Sequence, residues 1–88
     1  MSKENRNKNK KVLKTQFSYN LLWKMLIDRG LKKRELQEMS GVSATSIAKM
    51  GRNENVTTEV LLKICESLDC DIQNIMERIP VKHDEIVK

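Results

Sequence analysis

KRELQEMSGVSATSIAKMGR, residues 33–52, decides how this chain is read. Leu36 and Met39 stand at helical spacing, as do Ile47 and Met50, so each half of the stretch can bury one face of a short helix. Between the halves lies Ser40-Gly41-Val42-Ser43. Gly41 can take the left-handed backbone that closes a helix, and the Ser43 hydroxyl can cap the next helix. Glu35, following Lys33 and Arg34, favours a helix start, because a carboxylate in the first turn meets the unpaired amides there. So short a connection makes two helices cross steeply instead of lying side by side, which is a helix-turn-helix.

Working outward, the spacing predicts helix 2 from about Lys33 to Ser40 and helix 3 from Ala44 to Met50. Upstream, a first helix is expected to start at Ser18 as its cap, with Phe17 stapled onto Leu22. Tyr19, Leu22, Trp23, Leu26 and Ile27 form its apolar stripe, and Gly30 closes it with Leu31 as the contact beyond. Trp23 belongs to that stripe by spacing and reads as core, not as a ligand-stacking ring. Downstream, GRNEN (residues 51–55) is turn chemistry. Thr57 is expected to cap a fourth helix, with Val56 stapling to Leu61 and with Val60, Leu61, Ile64, Cys65 and Leu68 buried. Glu59 and Lys63 fall in the favourable order on its outer face. Ile72, Ile75, Met76 and Ile79 repeat at helical spacing after Asp71, so a fifth helix is expected, ended by Pro80. No strand is expected, because alternation of β-branched residues is absent.

With these elements in this order, roughly residues 18–79 resemble the Cro/repressor-type, or Xre, helix-turn-helix family. Leu36, Val42, Ile47 and Met50 fall at that family's apolar positions and Gly41 at its turn glycine. The runs Leu22-Trp23-Lys24-Met25-Leu26-Ile27 and Leu61 to Asp71 are similar to its first and fourth helices. The resemblance implies an all-α, five-helix, lambda-repressor-like domain that binds double-stranded DNA, with helix 3 in the major groove. By position it makes Ser43, Ala44, Thr45, Ser46 and Lys49 the candidates for reading bases. Phosphate contacts are expected from Lys32, Lys33 and Arg34 at the start of helix 2, and from Arg52 and Asn53 in the next loop. Three positions depart from the family pattern. Lys32 replaces the usual Ser or Thr cap, Gln37 replaces a small residue facing helix 3, and Ala44-Thr45 replace a pair of glutamines. Ala44 and Thr45 offer methyl groups suited to thymine and Lys49 a donor suited to guanine, so modest base discrimination supplemented by DNA shape is expected.

Charge points the same way. The net charge of +5 over 88 residues conceals a split at Arg52: thirteen basic and four acidic residues up to it, four basic and eight acidic after it. The half holding the two-helix motif is therefore +9 and the other −4, and a polyanion is drawn to the first. Three segments are expected: a disordered basic arm over residues 1–16, the helix-turn-helix domain over 17–79 and a tail over 80–88. The arm reads equally as a solubilising tail or as a cationic strand lying along DNA, and the tail as fraying or as a dimer contact.

Other functions find little foothold. Cys65 and Cys70, five residues apart with His83 far off in the tail, do not make a tetrahedral metal set. Cys65 reads as a small buried apolar residue and Cys70 as partly exposed, and the sequence alone lends a redox switch no support. Absent too are a glycine-rich phosphate loop, a His beside a nucleophile and a carboxylate pair on a concave site, so no enzyme and no cofactor or small-molecule ligand is expected. No apolar run reaches the ~20 residues of a membrane span, and with two cysteines and no signal-peptide core the expected location is the cytoplasm. A homodimer on two half-sites is the expected assembly, since the chain shows no second DNA-contacting unit; its interface is expected on helix 5 and the tail. The rival reading is an antitoxin-like or anti-repressor module, whose acidic second half meets a protein partner.

Overall fold

The computed structural model describes residues 12–81. The order of elements is β1 (Thr15–Ser18), α1 (Asn20–Arg29), α2 (Lys33–Ser40), α3 (Ala44–Gly51), α4 (Thr58–Leu68), a single 3-10 turn (Ile72–Asn74) and β2 (Glu77–Pro80). Four α-helices pack around one core, in which Leu22, Leu36, Met50, Ile64, Leu68 and Ile75 are completely buried. The helical boundaries around the central motif fall close to those the spacing predicts.

Chain reversal is achieved by similar devices at each helix end. At the end of α1, Gly30 is left-handed (φ 70°) and the Leu31 amide donates to the Leu26 carbonyl at 2.8 Å. The α3 and α4 ends repeat this pattern without glycine: Asn53 (φ 58°) and Asp69 (φ 54°) are the left-handed residues, followed by Glu54 N to Lys49 O at 2.9 Å and Cys70 N to Cys65 O at 3.0 Å. An asparagine or aspartate tolerates this backbone better than most residues, though at a cost that glycine avoids. Arg29 Nη1 also donates to the Leu68 carbonyl at 2.7 Å, tying the end of α1 to the end of α4.

The expected fifth helix is not formed. Ile72 lies in the 3-10 turn, Ile75 and Met76 in the link after it and Ile79 in β2, which pairs antiparallel with β1 in the register Thr15↔Pro80 to Ser18↔Glu77. The fold is therefore mainly α-helical with a two-stranded ribbon. Ile75 alone of the four reaches full burial, and a strand so short shows too few turns to be told from a helix by periodicity. Pro80 is the last residue of the strand, not a helix stop; the ladder resumes beyond it with Val81 N donating to Lys14 O at 3.0 Å.

The entrance to α1 differs correspondingly. Ser18 ends β1 and is fully buried, its Oγ accepting from Asn20 N at 3.2 Å, and Tyr19 occupies the cap position. Phe17 lies in the strand and stays half exposed, so it does not staple the helix, and Ile27, placed on the buried stripe by its spacing, is 75% exposed. Because β1 begins at Thr15, the expected arm is shortened at its C-terminal end; residues 1–11, and the tail from residue 82 onward, lie outside the described residues. Two stability measurements test this account. Ile75→Ala should cost about 2–5 kcal/mol in urea unfolding, as a fully buried aliphatic truncation does. Asp69→Gly should raise stability by roughly 0.5–1 kcal/mol by relieving the left-handed backbone.

Candidate nucleic-acid interface

The two helices of the motif are set by their joint. Gly41 is left-handed (φ 78°), with its amide donating to the Gln37 carbonyl at 2.8 Å, and Val42 is buried behind it. The Ser40 hydroxyl donates to the Leu36 carbonyl at 2.6 Å and accepts from Val42 N at 3.2 Å, so the turn is bonded on both sides. Ser43 Oγ then accepts from Ser46 N at 3.1 Å and starts α3. At the other end of the motif the Glu35 carboxylate accepts from Lys32 N at 2.7 Å, which is one half of a capping box; the other half is missing because a lysine side chain cannot accept from the first-turn amides.

Burial of Ile47 and Met50 fixes the rotation of α3. Ser43, Ala44, Thr45, Ala48 and Lys49 are consequently exposed, with Ser46 half buried at the margin. The Ser43 hydroxyl donates to Ser46 Oγ at 3.2 Å, leaving Ser46 with a proton to offer outward. Ala48 lies on this outer face too and was not among the residues picked from the sequence; helical position relative to Ala44 and Thr45 is the signal that identifies it. A concavity of about 410 Å³ beside Ser46 and Lys49 is walled by Asn55 and Thr57 from the next loop, which adds further polar groups to the same side.

The five cationic or polar positions expected to meet phosphate divide four ways. Lys32 and Arg34 are exposed at the start of α2, where the first-turn amides have no carbonyl partner within the helix. Lys33, also exposed, has its Nζ 4.4 Å from the centroid of the Trp23 ring and packs near Gly51, where an added Cβ would lie 3.8 Å from it. That cation–π contact ties α2 to α1 while the ammonium still faces water. Arg52 is held by Glu54 through Nε to Oε2 at 2.8 Å and Nη2 to Oε1 at 3.3 Å. Hydrogen bonding to Arg52 lowers the Glu54 carboxyl below its ordinary range, with Lys49 contributing to the same field, and the same pair raises the guanidinium. Glu54 is thus a carboxylate at neutral pH, placed among the cations.

Asn53 serves the fold. Its Oδ1 accepts from Tyr19 N at 3.3 Å while the Tyr19 hydroxyl donates to Glu54 O at 3.4 Å, so the loop after α3 is fastened to the entrance of α1. Burial pushes the Tyr19 hydroxyl above its ordinary pKa, keeping it a donor. Its side-chain amide is the one group of Asn53 left for a further contact. Among the described residues no cluster of three or more potential metal ligands is present, and no helix is long and apolar enough to cross a membrane.

A steep helix pair with the second helix bared on one face and cations at the first helix's start matches one known family over most of its length. Residues 21–81 match the model of the Cro/C1-type HTH DNA-binding domain. The chain belongs to that family. It is a family of DNA-binding domains, not of enzymes. The protein also resembles a solved structure, the crystal structure of the transcriptional regulator VanUg in its form II, at 49% identity and a TM-score of 0.76, covering 90% of this chain and 100% of that one. No curated protein matches the chain. The division between scaffold and surface has a direct check. Asn53→Ala should cost about 1–2 kcal/mol in denaturant unfolding, combining a lost hydrogen bond with an unfavourable left-handed alanine, whereas Arg34→Ala should stay within about 0.5 kcal/mol.

Proposed function

We propose that this protein is a sequence-specific double-stranded DNA-binding repressor that acts as a homodimer. The observation that carries the reading is the exposed face of α3: its apolar residues are spent on the core, and its polar and methyl-bearing residues stand beside an array of cations. In this reading the start of α3 enters the major groove. Ser43, Ala44, Thr45, Ser46 and Lys49 meet base edges, with Ala48 as an additional small contact. Lys32, Lys33 and Arg34 and the amides of the α2 start lie against phosphate, joined by Arg52 and the Asn53 amide. The transcriptional regulator that the chain resembles supports a regulatory role, which we read as repression through occupancy of the major groove. Dimerisation supplies two half-sites about one helical turn apart, which a single short α3 needs for specific affinity. With no fifth helix, the dimer surface is sought on the exposed apolar side chains of α4 and the 3-10 turn, Leu62 and Ile72.

The first experiment is fluorescence-anisotropy titration of random and operator-enriched duplex DNA at several salt concentrations. Log affinity should fall with log salt by about 0.9 per phosphate contact, and Arg34→Ala with Lys49→Ala together should weaken binding by at least about tenfold without loss of helicity. Absence of binding at low salt would overturn the reading. Glu54→Gln provides a test of opposite sign: freeing Arg52 and removing one negative charge should strengthen binding severalfold and steepen the salt slope by about one contact. A monomeric mass in sedimentation at tens of micromolar, with and without a two-half-site duplex, would refute the dimer.

A further inference from the structure

Cys65 and Cys70 flank the end of α4, and neither is used by the DNA-binding face. Asp69 between them is left-handed (φ 54°), so that Cys70 N donates to Cys65 O at 3.0 Å. In a helix end of this type the residue before the last turn and the residue after the reversal are brought side chain to side chain. Cys65 and Cys70 stand at those two positions, and Asp69 N donating to Glu66 O at 3.4 Å completes the reversal. Both are free, half buried and part of the wall of one apolar groove of about 540 Å³ alongside Leu61, Leu62 and Ile72. A single buried cysteine would read as an apolar filler, but two cysteines brought together by one backbone reversal at an open groove have a reaction available to them.

We propose that Cys65 and Cys70 form a reversible intramolecular disulfide, making the end of α4 a site of oxidative modification by a peroxide or a small-molecule disulfide. The reversal at Asp69 has already brought the two backbones together, which is the condition a disulfide imposes. Burial raises both thiols; at Cys70 Asp69 and Asp71 add to this while Arg29 opposes it, whereas Cys65 has no opposing cation, so Cys70 is the first to react. With a peroxide, the Cys70 thiolate attacks one oxygen, the O–O bond breaks and the sulfenic acid forms as hydroxide leaves and is protonated. Cys65 then gives up its proton and attacks the Cys70 sulfur, displacing the second oxygen as water. The two thiols lose two electrons and two protons, and the peroxide becomes two waters. With a small-molecule disulfide the same two electrons reduce it to two thiols through a mixed disulfide.

The site is tested on the full chain by equilibration in glutathione redox buffers, followed by quenching, alkylation of free thiols and intact-mass measurement, in native buffer and in urea. The expected product is a monomer that has lost two hydrogens and takes up no alkylating agent. It should form at an equilibrium constant at least about tenfold greater in the native protein than in urea, since a bond that the fold favours stabilises the fold in return. Cys65→Ser should instead stop at a mixed disulfide on Cys70. Two free thiols under oxidising buffer, a bond found only between chains on non-reducing gels, or an equilibrium constant no greater in the native state than in urea would each overturn the assignment. Because the readout is thiol chemistry in the absence of DNA, failure here is distinct from failure of DNA binding.

Discussion

The structure depends on the left-handed turn at Gly41. A side chain there would face no steric obstacle from neighbours, as an added Cβ meets nothing within 4 Å; the demand is made by the backbone angle of 78° itself. That angle ends α2 after Ser40, sends Val42 into the core and brings Ser43 into position as a cap only two residues on. Everything attributed to the outer face of α3 follows from it. If α3 were rotated to bury Ala44 and Ala48, Ile47 and Met50 would be forced into water, at a cost of roughly 1.5–3 kcal/mol for each side chain.

The second constraint is the loop after α3. The far end of α3 is fixed by polar groups: the left-handed Asn53, its side-chain Oδ1 accepting from Tyr19 N, and the Tyr19 hydroxyl donating to the Glu54 backbone oxygen. Tyr19 in turn begins α1 directly after β1, so the ribbon, the first helix and the end of α3 share one junction. The ribbon thereby does the work that a packed terminal helix would otherwise do. Its pairing brings residues 77–80, directly after the buried Ile75 and the half-buried Met76, beside the strand that leads into α1.

These couplings explain what could and could not be read in the chain. Helix-turn-helix spacing is local: Leu36, Gly41, Ser43, Ile47 and Met50 lie within fifteen residues, and each has one structural duty. The ends of the domain are held by pairing across more than sixty residues, Thr15 with Pro80, and no local pattern announces such a pair. Ile72, Ile75, Met76 and Ile79 do have helical spacing, yet only Ile75 is fully buried, because tertiary pairing overrode a pattern of four residues. Ile27 is the converse. It sits at the correct spacing on α1, but the core offers it no partner, and the side chain remains in solvent. The candidate site was legible at the level of which face and which helix. The specific ties, Lys33 on Trp23 and Arg52 on Glu54, join side chains whose approach is decided by the packed helices or by rotamers, neither of which is visible in spacing.

Those ties also change how the cationic surface should be understood. The +9 half of the sequence suggests a uniform attraction for a polyanion, but its charges are not equivalent. Lys33 is oriented by an aromatic face, which fixes the ammonium and lowers the entropy lost if it meets a phosphate. Arg52 is oriented by a carboxylate, which fixes the guanidinium but cancels its charge at long range. In the proposed complex Glu54 would be displaced or tolerated as DNA approaches, so Arg52 would contribute less to steering than to the final fit. A cation paired in this way favours DNA geometries that can supply a phosphate in place of the carboxylate, and penalises those that leave Glu54 facing the backbone. The pair therefore acts against loosely placed DNA, converting part of a sequence-independent attraction into a requirement for register.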